Sequence, residues 1–211
     1  MNILRPLRHL SLAVLPLILL FVLLLLAALL LTYLPARAAD VFDFIPSGGR
    51  TLLAKTLASR PPADEVKALL SARHTREEWR SYLQDHSKAI TGLKGLSDKE
   101  LLTLADYLSF NMPLPPAKIP ANPAQANWDK LLPLDGRDMA LDYCQSCHII
   151  TVVITQKRSK DAWLGSMNKP SHIQIKLTPE QRDALASYLV LNAAIPIDDV
   201  PEELRAGGAT Y

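Results

Sequence analysis

Cysteine is scarce in this chain of 211 residues: there are two, Cys144 and Cys147. A zinc site draws about four ligands from nearby pairs, and no second pair is present to complete one. Strand signals are nearly as sparse. The best is the β-branched run from Ile149 to Thr155, and its place directly after the cysteines leads us to expect a loop or short helix there. Also missing are a phosphate-binding loop, a serine or cysteine nucleophile pattern and a carboxylate pair with a definable geometry. The pairs Asp198-Asp199 and Glu202-Glu203 fall in a proline-punctuated tail and read as solvated.

What is present is concentrated in Cys144-Gln145-Ser146-Cys147-His148. C-x-x-C-H is the attachment pattern of haem c. Each thiol can add to one haem vinyl group, while the adjacent imidazole reaches the iron from the proximal side. The spacing sets both sulfurs and the imidazole on one face of a helical turn. A C-x-x-C redox pair would instead want a strand-then-helix context, which is lacking. We therefore expect one covalent haem c, attached to Cys144 and Cys147, with His148 as an iron ligand.

Arg5, Arg8 and His9 precede an apolar stretch from Leu10 to Leu34, followed by Ala36-Arg37-Ala38, a small-residue cleavage signal. This reads as an export signal with its basic end kept in the cytoplasm. We expect cleavage after Ala38, with residues 1–38 retained as an inner-membrane anchor as the alternative. As a helix the stretch would span ~37 Å, enough to cross a bilayer. Either way the remainder lies outside the cytoplasmic membrane, in the periplasm, where covalent haem c is assembled. Removal of residues 1–38 takes three of the 23 basic residues and leaves 20 against 21 acidic ones. With that balance and no basic patch, nucleic-acid binding is not expected.

The rest of the chain repeats itself. Gly49-Arg50 stands before Leu57 as Gly136-Arg137 stands before Cys144. Thr75 to Trp79 parallels Ser159 to Trp163, and the stretch from Leu96-Ser97 to Asn111 parallels Leu177-Thr178 to Asn192. Ser97 to Glu100 and Thr178 to Gln181 are capping boxes that open helices. Behind them Leu101, Leu104, Ala105 and Leu108, and likewise Leu185, Tyr188 and Leu189, recur at helical spacing as one buried face. Between the copies, Pro113 to Pro123 is too rich in proline for a regular helix and reads as a semi-rigid connector.

On Gly136, the C-x-x-C-H motif, Trp163 and the Tyr188-Leu189 helix, residues 136–192 resemble a class I cytochrome c domain. The resemblance implies that the glycine lets the first helix cross closely over the last, where Tyr188 packs on it. Residues 49–111 share it only through the repeat, because Leu57, Arg60 and Pro61 stand at the positions of Cys144, Cys147 and His148. His74 and His86 in that half are read as solvated or capping side chains. The expected fold is all-α, with two tandem cytochrome c-like helical domains. Residues 40–112 form a haemless domain, 113–127 a linker, and 128–211 the domain carrying covalent haem.

The family usually supplies a methionine as second axial ligand, and Met167 is the only methionine between His148 and the last helix. It stands four residues after Trp163, and the matching position after Trp79 is Leu83. Met167 is accordingly the candidate distal ligand, with His172 or an open iron as alternatives. A six-coordinate iron has no vacant site for substrate, so the expected role is single-electron transfer rather than enzyme catalysis. The protein would be a periplasmic monohaem cytochrome, as subunit or partner of a dehydrogenase or respiratory complex. Its redox partner proteins would dock through a small interface near an exposed haem edge, and Arg158, Lys160 and Lys169 could steer them. A haem enzyme or gas-binding sensor with an open distal site is the alternative, and a structural haem is a third reading.

Overall fold

The computed structural model describes residues 18–23, 25, 40–172 and 174–205. The chain divides into two units, Met1–Asp40 and Val41–Tyr211. In the first, residues 18–23 and 25 are helical and exposed. Arg5, Arg8, most of the apolar stretch and the Ala36–Ala38 cleavage signal lie outside the described residues. Among the described residues no helix is long and apolar enough to cross a membrane.

The unit Val41–Tyr211 is all-α, with no strand among its described residues. Its first half carries α1 (Gly49–Ala58), α2 (Ala63–Ser71), α3 (Arg76–His86) and α4 (Asp98–Asn111). Its second half carries α5 (Trp128–Leu131), α6 (Gly136–Met139), α7 (Thr151–Ile154), α8 (Lys160–Met167) and α9 (Pro179–Asn192). The β-branched run after the cysteines thus forms the short helix α7.

Local chemistry explains where the longer helices start. Glu100 N donates to Ser97 Oγ at 3.3 Å and Ser97 N to Glu100 Oε2 at 2.8 Å, closing the capping box of α4. Thr178 and Gln181 do the same for α9, with Pro179 in its first turn. Thr75 caps α3 through Glu78 N, and Ser159 caps α8 through Ala162 N. Each cap satisfies an amide that would otherwise lack a helical partner.

The helices bury two apolar clusters. The first gathers Leu52, Leu53 and Leu57 of α1, Leu69 and Leu70 of α2, Trp79 and Leu83 of α3, and Leu104 and Leu108 of α4. The second gathers Met139, Ile150, Ile154, Trp163, Met167, Leu185, Tyr188 and Leu189. Two helix pairs, α1 with α4 and α6 with α9, cross where a glycine meets a tyrosine. A Cβ on Gly49 would stand 2.1 Å from Tyr107 Cβ, and a Cβ on Gly136 would stand 2.1 Å from Tyr188 Cβ. No other residue fits these crossings without moving a helix.

The halves are bound to each other reciprocally. Tyr107 Oη donates to Pro133 O at 2.8 Å, and Tyr188 Oη donates to Pro46 O at 2.7 Å. Asn192 Nδ2 donates to Thr103 Oγ1 at 3.0 Å, in a buried bond between α9 and α4. The edges of the cores are exchanged as well. Ile45, with Phe42 and Phe44 beside it, packs in the second cluster, whereas Trp128 and Leu132 pack in the first. The proline-rich segment follows the first core: Leu114 is buried there and its amide donates to Leu70 O at 2.8 Å.

Asp135 sits at the meeting point of α1 and α6. Its Oδ1 accepts from Asp138 N of its own helix at 2.9 Å, and its Oδ2 accepts from Arg50 N of α1 at 2.8 Å. Gly48, the residue before α1, has no side chain to offer as a cap, so a carboxylate from the other half takes that place. A Cβ on Gly48 would lie 2.0 Å from Asp135 Oδ2. Burial, and then the neighbouring Asp138, push the Asp135 carboxyl up to about 6.

Candidate functional site

Helix α6 does not end as an α-helix. It widens into a π-turn over Ala140–Cys144, which carries the first cysteine. Single π-turns of this kind occur frequently at functional sites. Beyond it, His148 N donates back to Cys144 O at 3.0 Å and Cys147 N to the same carbonyl at 3.3 Å, so the motif closes one further turn. Cys144, Cys147 and His148 thereby line one cavity of about 530 Å³. That lies within the range of ~300–1,000 Å³ usual for pockets that take small molecules and cofactors.

The opposite walls come from later elements. Trp163 and Met167 reach the cavity from α8, His172 from the turn Pro170–His172, and Leu189 from α9. Every residue singled out in the sequence as a haem or iron ligand therefore faces the same space. The rings of His148 and His172 stand 6.0 Å apart between centroids, tilted by 39°. Arg158, also on the cavity wall, lies 5.0 Å over the Trp163 ring. Lys160 is engaged elsewhere, paired with Asp183 at 2.8 Å, while Lys169 is exposed.

The two thiols are free. Burial, followed by the proximity of Cys147, pushes the Cys144 thiol up to about 11, so at neutral pH it is protonated. A disulfide-exchanging C-x-x-C pair depends on a thiol shifted the other way. Among the described residues no group of three or more His, Cys, Asp and Glu side chains is placed to hold a bare metal ion. The cavity's donors are two sulfurs of a C-x-x-C, two imidazoles and a thioether, disposed around an apolar space. That set suits a planar macrocycle with a central metal better than a naked cation.

One buried donor lacks a partner here: Trp163 Nε1 makes no hydrogen bond within the protein. Trp79 Nε1, its counterpart in the first half, is equally unpartnered, so this feature belongs to both copies. What separates the halves is the space beside the tryptophan. In the first half Leu57 and Leu83 stand at the positions of Cys144 and Met167, and both are buried in hydrocarbon. Arg60, at the position of Cys147, has φ 56°, a left-handed residue just past the end of α1. His74 packs edge-on against Trp79 and His86 stacks on Tyr82, which occupies both in an aromatic cluster.

Sequence reasoning missed Arg182. It lies in the first turn of α9, where a cation opposes the helix dipole. Its guanidinium donates to Ile175 O at 2.8 Å, to Leu177 O at 3.3 Å and to Met167 O. One side chain thus ties the loop between α8 and α9, and with it His172, to the last helix. The only signal in the sequence was the unfavourable sign of the charge at that position.

No family model, no curated protein and no solved structure matches the chain. The functional reading rests on the motif and on the cavity it faces.

Proposed function

We propose that this protein is a periplasmic c-type cytochrome that transfers single electrons, as subunit or partner of a dehydrogenase or respiratory complex. One observation carries the reading: Cys144, Cys147 and His148 open on an apolar cavity whose other walls hold Met167 and His172. Haem c would supply reversible one-electron exchange at its iron.

The chain's own residues do the rest. Cys144 and Cys147 would hold the cofactor covalently on the turn after α6, each thiol adding across a vinyl group with no leaving group. His148, on that same turn, would be the ligand to its iron. Val153, Trp163 and Leu189 line the apolar walls and keep water from the ring. Met167 and His172, on the opposite wall, are the side chains that would supply a second ligand to the iron and so keep substrate from it.

The first half reads as a second cytochrome c-like module whose haem space is filled by Leu57, Leu83 and their neighbours. The repeated glycine-on-tyrosine crossing supports that reading. Export follows from Arg5, Arg8, the apolar stretch and the Ala36–Ala38 signal, with the membrane anchor as the alternative outcome.

The test is production of the full chain with a haem c maturation system. Denatured protein is then examined for covalently retained haem, and native protein for a reversible one-electron wave. A mass gain of one haem, lost in Cys144→Ala/Cys147→Ala, is expected. A chain that matures without haem would overturn the proposal. Ready binding of carbon monoxide by the reduced protein would replace electron transfer with the sensor or enzyme reading. N-terminal sequencing of the exported protein distinguishes cleavage after Ala38 from a retained anchor.

A further inference from the structure

We infer that His172, rather than Met167, is the second axial ligand, so that the iron is held between two imidazoles; this rests on the covalent haem reading above. Imidazole nitrogens bind metals at ~2.0–2.1 Å, so two rings facing one metal have centroids ~6 Å apart once the half-width of each ring is added. The His148 and His172 centroids are 6.0 Å apart, and both rings line the cavity.

The second imidazole is also oriented. Its Nδ1 lies 3.3 Å from Ser171 Oγ. In the tautomer in which Nδ1 carries the proton and Ser171 Oγ accepts it, Nε2 keeps the lone pair for a metal, the arrangement in which ligating histidines are usually held. The backbone around it is tied down too, by His172 N donating to Lys169 O at 2.8 Å and Ile175 N to His172 O at 3.0 Å. Arg182 secures the loop ends on either side.

Met167 has a different task. It lies in α8, is 6% exposed and belongs to the second apolar cluster. Its counterpart Leu83 fills the same place in the first core, where no haem motif exists. A methionine at that position is core hydrocarbon with a flexible end. The loop turn that carries His172 follows immediately, and its ring is the nitrogen donor on that wall.

The inference is tested on the haem-loaded full chain by visible and electron paramagnetic resonance spectra, carbon monoxide binding and potentiometry. The expected wild type is low-spin with no long-wavelength ferric sulfur-to-iron band. Met167→Leu should stay low-spin and should not bind carbon monoxide when reduced. His172→Gly should become high-spin, bind carbon monoxide when reduced, and return to low-spin on addition of imidazole. A wild type with the sulfur band, or a Met167→Leu variant that turns high-spin while His172→Gly does not, would overturn the assignment and leave the cytochrome reading intact. Failure of the wild type to retain any haem would remove both. Because Met167→Leu is close to isosteric, the assignment stays testable even if His172→Gly does not fold.

Discussion

At the scale of single residues, the tightest constraint is at the crossings. Gly136→Ala would drive a methyl group to within 2.1 Å of Tyr188 Cβ, so α6 must shift on α9. We expect a loss of about 1–3 kcal/mol in urea unfolding. Gly49→Ala should cost a similar amount through Tyr107. The Gly136 crossing was expected from the family resemblance that Gly136, the C-x-x-C-H motif and the Tyr188-Leu189 helix carry. Asp135 was not, because its second capping partner, Arg50 N, lies 85 residues away.

Asp135 and Asp106 both have carboxyls raised to about 6, chiefly by burial, so the native state holds their protons more tightly than the unfolded chain. The stability they contribute is full below the ordinary carboxylate range, near ~4, and is lost as pH rises through about 6. Unfolding free energies measured across that window should fall with pH. Asp106→Asn should flatten part of the decline, because it keeps the shape of the buried side chain and removes the ionisation. A variant that leaves the slope unchanged would show that Asp106 is not its source.

At the scale of elements, the loop between α8 and α9 depends on one cation. Arg182→Ala removes donors to the carbonyls of Met167, Ile175 and Leu177. Since hydrogen bonds to charged groups contribute ~1.5–3 kcal/mol each, we expect a loss of at least about 2 kcal/mol. Faster hydrogen exchange should be confined to residues 168–177. The starts of α4 and α9 were easy to read ahead of the structure, because Ser97 and Thr178 act on amides three residues away. The π-turn at Ala140–Cys144 left no such mark, since no side chain caps it. The short helix α7 was within the expectation for Ile149 to Thr155, where tertiary packing of Ile150, Val153 and Ile154 overrides their β-branched preference.

At the scale of the whole molecule, the duplicated pattern was visible in the sequence, but the way the copies lean on each other was not. The spacing of Tyr188 announces an apolar helix face, and nothing local says that the hydroxyls of Tyr188 and Tyr107 end on Pro46 and Pro133 of the opposite half. Phe42 and Trp128 likewise sit at the chain edge of one half and pack with the other. A fragment of residues 128–211 therefore lacks Ile45 from its core and the acceptor for Tyr188. We expect it to show weak near-ultraviolet dichroism and a broad, low-temperature melt compared with the full chain. Sharp cooperative unfolding of that fragment would show that the exchanged edges are dispensable.

The reciprocal pairing of Tyr107 with Pro133 and Tyr188 with Pro46 has the form of an isologous contact, the kind two identical subunits make across a dyad. Here both partners reside on one polypeptide, so the association is intramolecular and dilution cannot separate it. In this chain the site chemistry lies on one side of the pairing, and a filled hydrocarbon core on the other.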